Sequence, residues 1–209
     1  TTDPIAPDGM NGWFITRPTL AFDTGDPAVV HYKWNAEPFA CATGPLLAPD
    51  GINTLTYYAN DDAGNKETAR FAAFKVDTSV PSTNITVSPG DKGDQWYTKK
   101  PRLKLSNAEN CTINFYWGTE IDNVQKYTRE FEVPEGRGIL HFWSIDEAGN
   151  KEAERTKGFD VDSVSPSVSF TPSVVSLTAG GSVSFELAGT DANGVTVAKR
   201  SQNFLLVIS

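Results

Sequence analysis

The chain has 209 residues, of which 39% are hydrophobic and 11% aromatic, and this composition argues against a wholly disordered protein. Its formal net charge of −8 argues against a surface for nucleic acid or for anionic membranes. No apolar run reaches about 18 residues, so the sequence predicts no membrane-spanning helix. The chain opens on Thr-Thr-Asp-Pro, which is typical of the middle of a strand and indicates a piece of a longer protein.

One short stretch occurs twice and divides the chain. Asp-Ala-Gly-Asn-Lys-Glu at 62–67 returns as Glu-Ala-Gly-Asn-Lys-Glu at 147–152, a shift of 85 residues from Gly64 to Gly149. A Gly-Asn signature between two alternating apolar runs predicts the turn of a β-hairpin. A hairpin that recurs at this spacing predicts tandem copies of one module. We therefore predict module 1 at residues 1–77, with its first strand cut short, module 2 at 78–162, and a partial third β module at 163–209.

Matched landmarks predict the same strand order in both modules. Strands are predicted at 18–22, 28–34, 55–59 and 74–76, with counterparts at 101–105, 111–117, 140–144 and 159–161. Each module ends in a proline-containing linker, at 77–81 and at 162–166. Six or seven short strands per module, turns about every ten residues and no helical periodicity predict an all-β fold of tandem Ig-like antiparallel β-sandwich modules.

The tail from 163 to 209 predicts further strands at 168–170, 175–177, 182–187, 194–197 and 204–208. This tail is too short to close a seven-strand sandwich alone. Two explanations stay open. Either the third module is incomplete in this chain, or another chain supplies the missing strand.

These residues resemble the Ig-like tandem repeats of large bacterial and archaeal cell-surface proteins, of the surface-layer or adhesin type. The first copy carries the pattern at 11–14, 30–34, 43–45, 55–65 and 76–81. The second copy keeps Trp96, Trp117, 146–150 and 161–162, but lacks the Gly-Pro pair after Thr128. The resemblance implies an extracellular, cell-surface location, and a role as a surface-layer component, an adhesin or an accessory region of a secreted hydrolase.

Five tryptophans suggest carbohydrate binding, because exposed aromatic faces stack on sugars. The repeat favours a different role, since both modules hold large aromatic residues at matched positions, as core anchors would be. The matched pairs are Trp13 with Trp96, Trp34 with Trp117, and Tyr58 with Trp143. Under the carbohydrate hypothesis, Trp143→Ala would abolish binding without loss of folding.

Acidic residues cluster at the two turns and at the two module ends. Calcium takes six to eight oxygen ligands, and carboxylates at module junctions are candidates to supply them. The alternative is that these side chains cap turns by accepting bonds from their own backbone. The candidate calcium ligands are Asp61, Asp62, Asp77, Asp146 and Asp162. No other cofactor is expected.

Two further features concern modification and redox state. Asn84 and Asn110 each begin an Asn-x-Thr sequon and are candidate glycosylation sites. Cys41 and Cys111 lie in different modules at positions that do not match. They are predicted to be two buried free thiols, with a bridge between modules as the alternative.

Motifs of common enzymes are missing from the sequence, which has no Gly-x-Ser-x-Gly, His-Glu-x-x-His or Cys-x-x-Cys. His31 and His141 lie on predicted strands of different modules, where structural roles are expected. We therefore expect a protein without catalytic activity, a structural or adhesive segment that acts as a rigid spacer or lattice unit. Its expected partners are other surface chains, copies of itself, or glycans. The alternative is an accessory carbohydrate-binding region of a secreted hydrolase.

Overall fold

A computed structural model describes residues 1–88 and 96–165, together with the backbone of four short strands beyond them. All regular secondary structure within these residues is β, and no helix occurs among them. This confirms the predicted all-β class. In the same described residues, no helix has the length and apolarity needed to cross a membrane.

The first repeat forms two antiparallel sheets. Its strands are β1 (Thr2–Asp3), β2 (Thr19–Leu20), β3 (Ala28–Trp34), β4 (Ala40–Cys41), β5 (Leu46–Leu47), β6 (Gly51–Asp61) and β7 (Arg70–Val76). One sheet has the order β1-β2-β5 and the other the order β4-β3-β6-β7. In the central pair, β3 and β6, His31 lies opposite Tyr58 and Trp34 lies opposite Leu55.

Apolar side chains from both sheets of the first repeat meet in one core. Leu20 comes from the three-stranded sheet, whereas Leu55, Phe74 and Val76 come from the four-stranded sheet, and Phe14 and Ala48 complete the cluster. Full burial of one such side chain contributes about 1.5–3 kcal/mol. Two sheets that share one core in this way form a β-sandwich, as predicted.

The tryptophans of the first repeat differ in their relation to this core. Trp34 packs against the cluster, with its ring edge toward Phe74. Trp13 is only half-buried, and its neighbour Phe14 is the buried residue. The reason is that Phe14 bonds through its backbone to Lys75, alongside β7, so Phe14 points inward and Trp13 outward. The prediction of a core anchor at Trp13 is therefore wrong.

The second repeat has the same strand order. Its strands are β8 (Asn84–Val87), β9 (Arg102–Ser106), β10 (Cys111–Trp117), β11 (Gln125–Lys126), β12 (Phe131–Glu132), β13 (Gly136–Asp146) and β14 (Arg155–Val161). The sheets have the orders β12-β9-β8 and β11-β10-β13-β14. In β10 and β13, Asn114 lies opposite Trp143 and Trp117 lies opposite Leu140. The strand order of the first repeat therefore recurs in the second, strand for strand.

The tail contributes four described strands. They are β15 (Ser167–Val168), β16 (Ser184–Leu187), β17 (Gly189–Thr190) and β18 (Arg200–Asn203). β15 pairs with β17, and β16 pairs with β18, both antiparallel. The predicted strand at 182–187 includes β16. Those at 168–170, 175–177, 194–197 and 204–208 lie wholly or partly outside the described residues, so both explanations of the tail stay predictions.

The chain divides into two compact units in space. The first comprises Thr1–Ile85, Leu105–Arg129 and Leu140–Thr156, and the second comprises Thr86–Lys104, Glu130–Ile139 and Lys157–Ser209. The first unit therefore holds the first repeat together with the part of the second repeat that carries its Ala-Gly-Asn turn. The module boundaries at 77/78 and 162/163 stay predictions.

Candidate functional site

Both copies of the Ala-Gly-Asn stretch form the same tight turn. Gly64 has a φ of 89° and Gly149 a φ of 99°, in the left-handed region where a side chain is strained. In the first copy, the Asp61 carboxylate accepts bonds from the backbone N–H of Asn65 at 2.7 Å and from its side-chain amide at 2.8 Å. These bonds, of which that from the Asn65 side chain is the largest cause, lower the pKa of Asp61.

The second copy repeats this geometry. Asp146 accepts bonds from the Asn150 backbone N–H at 2.8 Å and from its side-chain amide at 2.9 Å. It also accepts a bond from the N–H of Gly149 at 2.7 Å. The repeated Asp and Asn thus cap the turn, which is the alternative that turn chemistry offered to calcium binding.

The two turns differ in their surroundings. In the second turn, Ala148 is 1% exposed and Asn150 is 6% exposed. In the first turn, the corresponding Ala63 and Asn65 are exposed. Because the local geometry is the same, the difference comes from the segments of the first repeat that cover the second turn.

The entry loop of the first repeat is one of those segments. The backbone N–H of Met10 donates to the carbonyl of Ala148 at 2.7 Å, and the Asn11 side chain donates to the carbonyl of Glu147 at 3.0 Å. Gly9 lies so close that a Cβ atom there would be 2.4 Å from the Ala148 carbonyl oxygen. The loop therefore requires glycine at position 9 in order to reach the turn.

The linker after the first repeat, which continues from the predicted 77–81 to Thr83 ahead of β8, is the other segment. The side-chain amide of Asn150 donates to the carbonyl of Asp77 at 2.9 Å. Thr83 is fully buried, and it donates to the Glu152 carboxylate from its N–H at 3.0 Å and from its hydroxyl at 2.6 Å. Arg155 donates to the carbonyl of Thr83 at 2.6 Å. The N–H, the hydroxyl and the carbonyl of Thr83 are therefore all bonded to the second repeat.

Glu152 is the centre of this junction. It is 6% exposed, and besides Thr83 its carboxylate accepts bonds from the backbone N–H of Ser144 at 3.1 Å and from the Ser144 hydroxyl at 2.9 Å. Burial raises the pKa of Glu152, but the bonds from Thr83, Ser144 and Arg155 outweigh it, so the pKa lies below its ordinary value. A buried carboxylate with this many donors is ionised and held in place.

The candidate calcium ligands are not brought together by this arrangement. Within 1–88 and 96–165, no group of three or more His, Cys, Asp or Glu side chains is placed to hold a metal ion. Asp77 and Asp162 cap their own linkers, since they accept bonds from the N–H groups of Ser79 and Val164. Asp62 is exposed at the tip of the first turn. Calcium binding by these residues stays a prediction.

The sequons lie at accessible positions. Asn84 is exposed at the start of β8, and Asn110 is exposed in the bend before β10. Glycosylation at both stays a prediction.

Both cysteines are free thiols. Cys41 is exposed, with its sulfur 3.7 Å from Nδ1 of His31, so the predicted burial is wrong for this residue. The reason is that β4 has only two residues, at the edge of its sheet. Cys111 is partly buried, and burial raises the pKa of its thiol.

A cleft of about 450 Å³ adjoins the first turn. Asn65, Glu67 and Arg70 line its polar part, and the rings of Phe22 and Tyr57, whose centroids lie 5.3 Å apart, line its apolar part. Glu67 and Arg70 form an ion pair with each other. Asp23, Asp26, Asp61 and Lys66 also line the cleft, so its polar part is strongly charged.

Aromatic residues also cluster on the outer face of each four-stranded sheet. In the second repeat, Tyr116 and His141 stack at 4.4 Å, and Glu154 accepts a bond from the Tyr116 hydroxyl and contacts Nδ1 of His141 at 2.6 Å. Trp143 lies in the same cluster and is only 9% exposed. Its face is therefore not available to a sugar.

The outer face of the first repeat is more open. His31 and Tyr58 stack at 5.0 Å, and Phe39 meets the Tyr58 ring edge-on at 5.1 Å. Phe39 is 44% exposed. Tyr58 is stacked on His31 and also has the Lys66 ammonium 3.8 Å from its ring centre, so Phe39 is the most accessible ring of this His31–Tyr58–Phe39 cluster.

No family model and no curated protein matches the chain. Solved structures similar to it include fibronectin(III)-like modules of CbhA from Clostridium thermocellum, with 14% identity and a TM-score of 0.36 over 77% of this chain and 93% of that chain. A tetra-tandem repeat from the extending region of a large adhesion protein has 16% identity and a TM-score of 0.33, over 90% of this chain and 58% of that chain.

A third similar structure is SGBP-B of the mixed-linkage glucan utilization locus of Bacteroides ovatus, in complex with a mixed-linkage heptasaccharide. It has 15% identity and a TM-score of 0.28, over 97% of this chain and 69% of that chain. Because identity and TM-score are low in all three cases, we draw no conclusion on function from these likenesses.

Sequence reasoning missed the junction. It singled out the turn and its aspartates, but gave no role to Thr83, Glu152 or Arg155. A signal was present, because Glu recurs at 67 and 152 and Arg at 70 and 155, each pair 85 residues apart. Polar residues that recur at fixed distance from a turn in both copies indicate a shared contact of that turn.

Proposed function

We propose that this protein is a structural segment of a cell-surface protein, in which Ig-like repeats are joined end to end by a fixed junction and act as a stiff spacer. The observation that carries this proposal is the buried contact of the Glu152 carboxylate with Thr83 of the linker. The proposed role is mechanical and extracellular, with no catalytic step, and other surface chains or further copies of the repeat are its proposed partners.

The order of the linker decides whether the repeats form a stiff spacer. An exposed linker of Ser, Thr and Pro would let successive repeats move independently. Here the linker is ordered, since Pro81 and Thr83 are fully buried, and its backbone is bonded to Asn150, Glu152 and Arg155. A net contribution of about 1.5–3 kcal/mol for a hydrogen bond to a charged group is enough to keep the linker in place.

Glu152→Ala tests this proposal, with Glu67→Ala at the matched exposed position as its control. In Glu152→Ala, we expect amide hydrogen exchange at residues 77–85 to become about a hundredfold faster, because Thr83 loses its acceptor. Small-angle X-ray scattering should then show a broader distribution of overall dimensions. Glu67→Ala should leave both measurements unchanged. Equal exchange at 77–85 in wild type and Glu152→Ala would refute the stiff junction.

Assembly into a lattice is a further form of this proposal. Electron microscopy of concentrated protein would show ordered sheets or filaments in that case. If the chain stays monomeric at high concentration, the lattice hypothesis is excluded and only the spacer hypothesis is kept.

The second candidate is an accessory carbohydrate-binding region, and the open His31–Tyr58–Phe39 cluster favours it. Retention on insoluble polysaccharides should then fall in Phe39→Ala, while the melting temperature stays close to wild type because Phe39 is 44% exposed. Trp143→Ala does not serve as a test, since Trp143 is buried and its loss disturbs folding. Lack of retention of the wild-type chain on any polysaccharide would remove this candidate.

A further inference from the structure

The first repeat carries a second copy of the polar groups that form the junction. Each polar group that holds the linker in the second repeat has a counterpart of the same residue type 85 positions earlier. The pairs are Asn65 with Asn150, Glu67 with Glu152, and Arg70 with Arg155. All three earlier residues line the 450 Å³ cleft beside the first turn.

The supporting backbone geometry is also the same in both copies. The N–H of Glu67 donates to the carbonyl of Ala59 at 2.9 Å, and the N–H of Glu152 donates to the carbonyl of Ser144 at 2.9 Å. An ion pair three residues apart joins Glu67 to Arg70, as one joins Glu152 to Arg155. The backbone bond and the ion pair of the second junction are therefore both present beside the cleft, whereas Ser144, whose hydroxyl bonds to Glu152, has Ala59 as its counterpart.

What differs is the exposure of the carboxylate. The side chain of Glu67 is 35% exposed, whereas that of Glu152 is 7% exposed beneath Thr83. Asn65 uses its side-chain amide on Asp61, as Asn150 does on Asp146, but only Asn150 donates as well to a linker carbonyl, that of Asp77.

We propose that the cleft beside the first turn is a receptor site for the linker of a further repeat, an extended Val-Pro-Ser-Thr segment of the type found at 80–83. This inference rests on the proposed function, since it extends the same junction to the amino-terminal side of the chain. The threonine N–H and hydroxyl of the incoming segment bond to Glu67, its carbonyl bonds to Arg70, and its proline lies toward the rings of Phe22 and Tyr57.

Chemical complementarity favours a polypeptide as the occupant. Among the polar groups at the cleft, Glu67 is an acceptor beside two donors, Arg70 and Asn65, and an extended backbone offers N–H and C=O groups in that alternation. In the second junction the same three residue types bind backbone groups of Thr83 and Asp77.

The strand register shows how such a segment would enter. Asp3 lies opposite Thr19 in the first repeat, and the N–H of Ser88 bonds to the carbonyl of Arg102, the counterpart of Thr19, in the second. Thr1 therefore corresponds to Thr86. The counterparts of residues 77–85 are the nine positions ahead of Thr1.

The experiment places that segment where the register requires it. The full chain is extended ahead of Thr1 by Asp-Thr-Ser-Val-Pro-Ser-Thr-Asn-Ile, the sequence of 77–85. The matched controls are the extended chain with Glu67→Ala and a chain that carries the same nine residues in scrambled order. Hydrogen exchange of individual amides is followed by NMR.

We expect the amide of the second threonine in the extension to exchange about tenfold slower than in either control, because only the native order meets an intact Glu67. The resonances of residues 59–67 should shift in the extended chain alone. Equal exchange in the extended chain and both controls would overturn the proposal. So would protection of the cleft by an oligosaccharide while the extension has no effect, since this would assign the cleft to a sugar.

The result of this experiment can be distinguished from the result that tests the proposed function. Exchange at residues 77–85 reports the Glu152 junction, whereas exchange in the extension reports Glu67. Slow exchange at residues 77–85 without slow exchange in the extension would support the stiff spacer and exclude the receptor site.

Discussion

The two Ala-Gly-Asn turns have nearly the same sequence and share the bonds from Asn to the capping Asp, yet one is buried and the other exposed. Asp61 and Asp146 cap their turns with distances that agree within 0.1 Å. Ala148 is nevertheless 1% exposed, whereas Ala63 is exposed. The comparison separates two roles within one motif. Its Asp, Gly and Asn determine the shape of the turn, whereas its Glu, together with the Arg three residues later, bonds to the segment that covers the second turn.

The largest difference between the copies is expected on removal of the junction carboxylate. Glu152→Ala leaves the N–H and hydroxyl groups of Thr83 and Ser144 buried without their acceptor, which should destabilise the fold by about 3 kcal/mol. Glu67→Ala removes an exposed ion pair and should cost less than about 0.5 kcal/mol. Urea denaturation of both variants measures the difference. Equal losses of unfolding free energy would show that the two turns are energetically alike.

The next largest difference concerns the turn glycines. Both Gly64→Ala and Gly149→Ala place a side chain at positive φ, which costs about 1–2 kcal/mol. Only at Gly149 does the new Cβ also meet a neighbour, at 3.0 Å from Cγ and 3.1 Å from the backbone nitrogen of Met10. We expect Gly149→Ala to be the more destabilising by about 1 kcal/mol. Thermal melts of the two variants would contradict this if their midpoints coincide.

A smaller difference is expected at the turn asparagines. Both Asn65→Ala and Asn150→Ala remove a bond to the capping aspartate, but only Asn150→Ala also removes a bond to the linker, at the Asp77 carbonyl. One neutral hydrogen bond contributes about 0.5–1.5 kcal/mol, so Asn150→Ala should lose more by this amount. Faster hydrogen exchange at residues 77–79 in Asn150→Ala alone would locate the extra loss in the linker.

The long strands of this fold were predictable because their side chains alternate over many residues. β3 and β10 coincide with the predicted strands 28–34 and 111–117, and β6 and β13 include the predicted 55–59 and 140–144. The two-residue strands β4 and β11 are too short to show any alternation. They are defined by pairing with β3 and β10, which only the folded chain reveals.

The contacts of the site likewise divide into local ones, which the sequence predicts, and long-range ones, which it does not. The capping of Asn65 by Asp61 is local, spanning four residues, and turn chemistry anticipates it. The contact of Thr83 with Glu152 spans 69 residues, and that of Asn150 with Asp77 spans 73. No pattern within one turn encodes contacts at such separations. Comparison of the two copies helps, because it shows that Glu and Arg recur at the same distance from the turn in both.

The smallest expected difference is in the dependence on pH. The pKa of Glu152 in the folded chain lies below the ordinary value of 4.5, so the unfolded chain binds more protons near that pH. The stability contributed by this carboxylate is therefore fully present above about pH 4.5 and is lost as pH falls through the lower pKa of the folded state. Because burial opposes the hydrogen bonds from Thr83 and Ser144, the net change is modest.

Thermal melts of wild type and Glu152→Gln between pH 7 and pH 3 isolate this contribution from those of other carboxylates whose pKa is lowered, such as Asp50 beside Arg17. We expect the gap in melting temperature between the two proteins to narrow as pH falls below about 4.5, since the protonated Glu152 side chain and the glutamine amide of the variant are then both uncharged. Glu67→Gln, at the exposed copy, should follow wild type throughout. A gap that stays constant with pH would mean that the ionised form of Glu152 does not hold the linker, and the junction would then depend on the shape of the side chain alone.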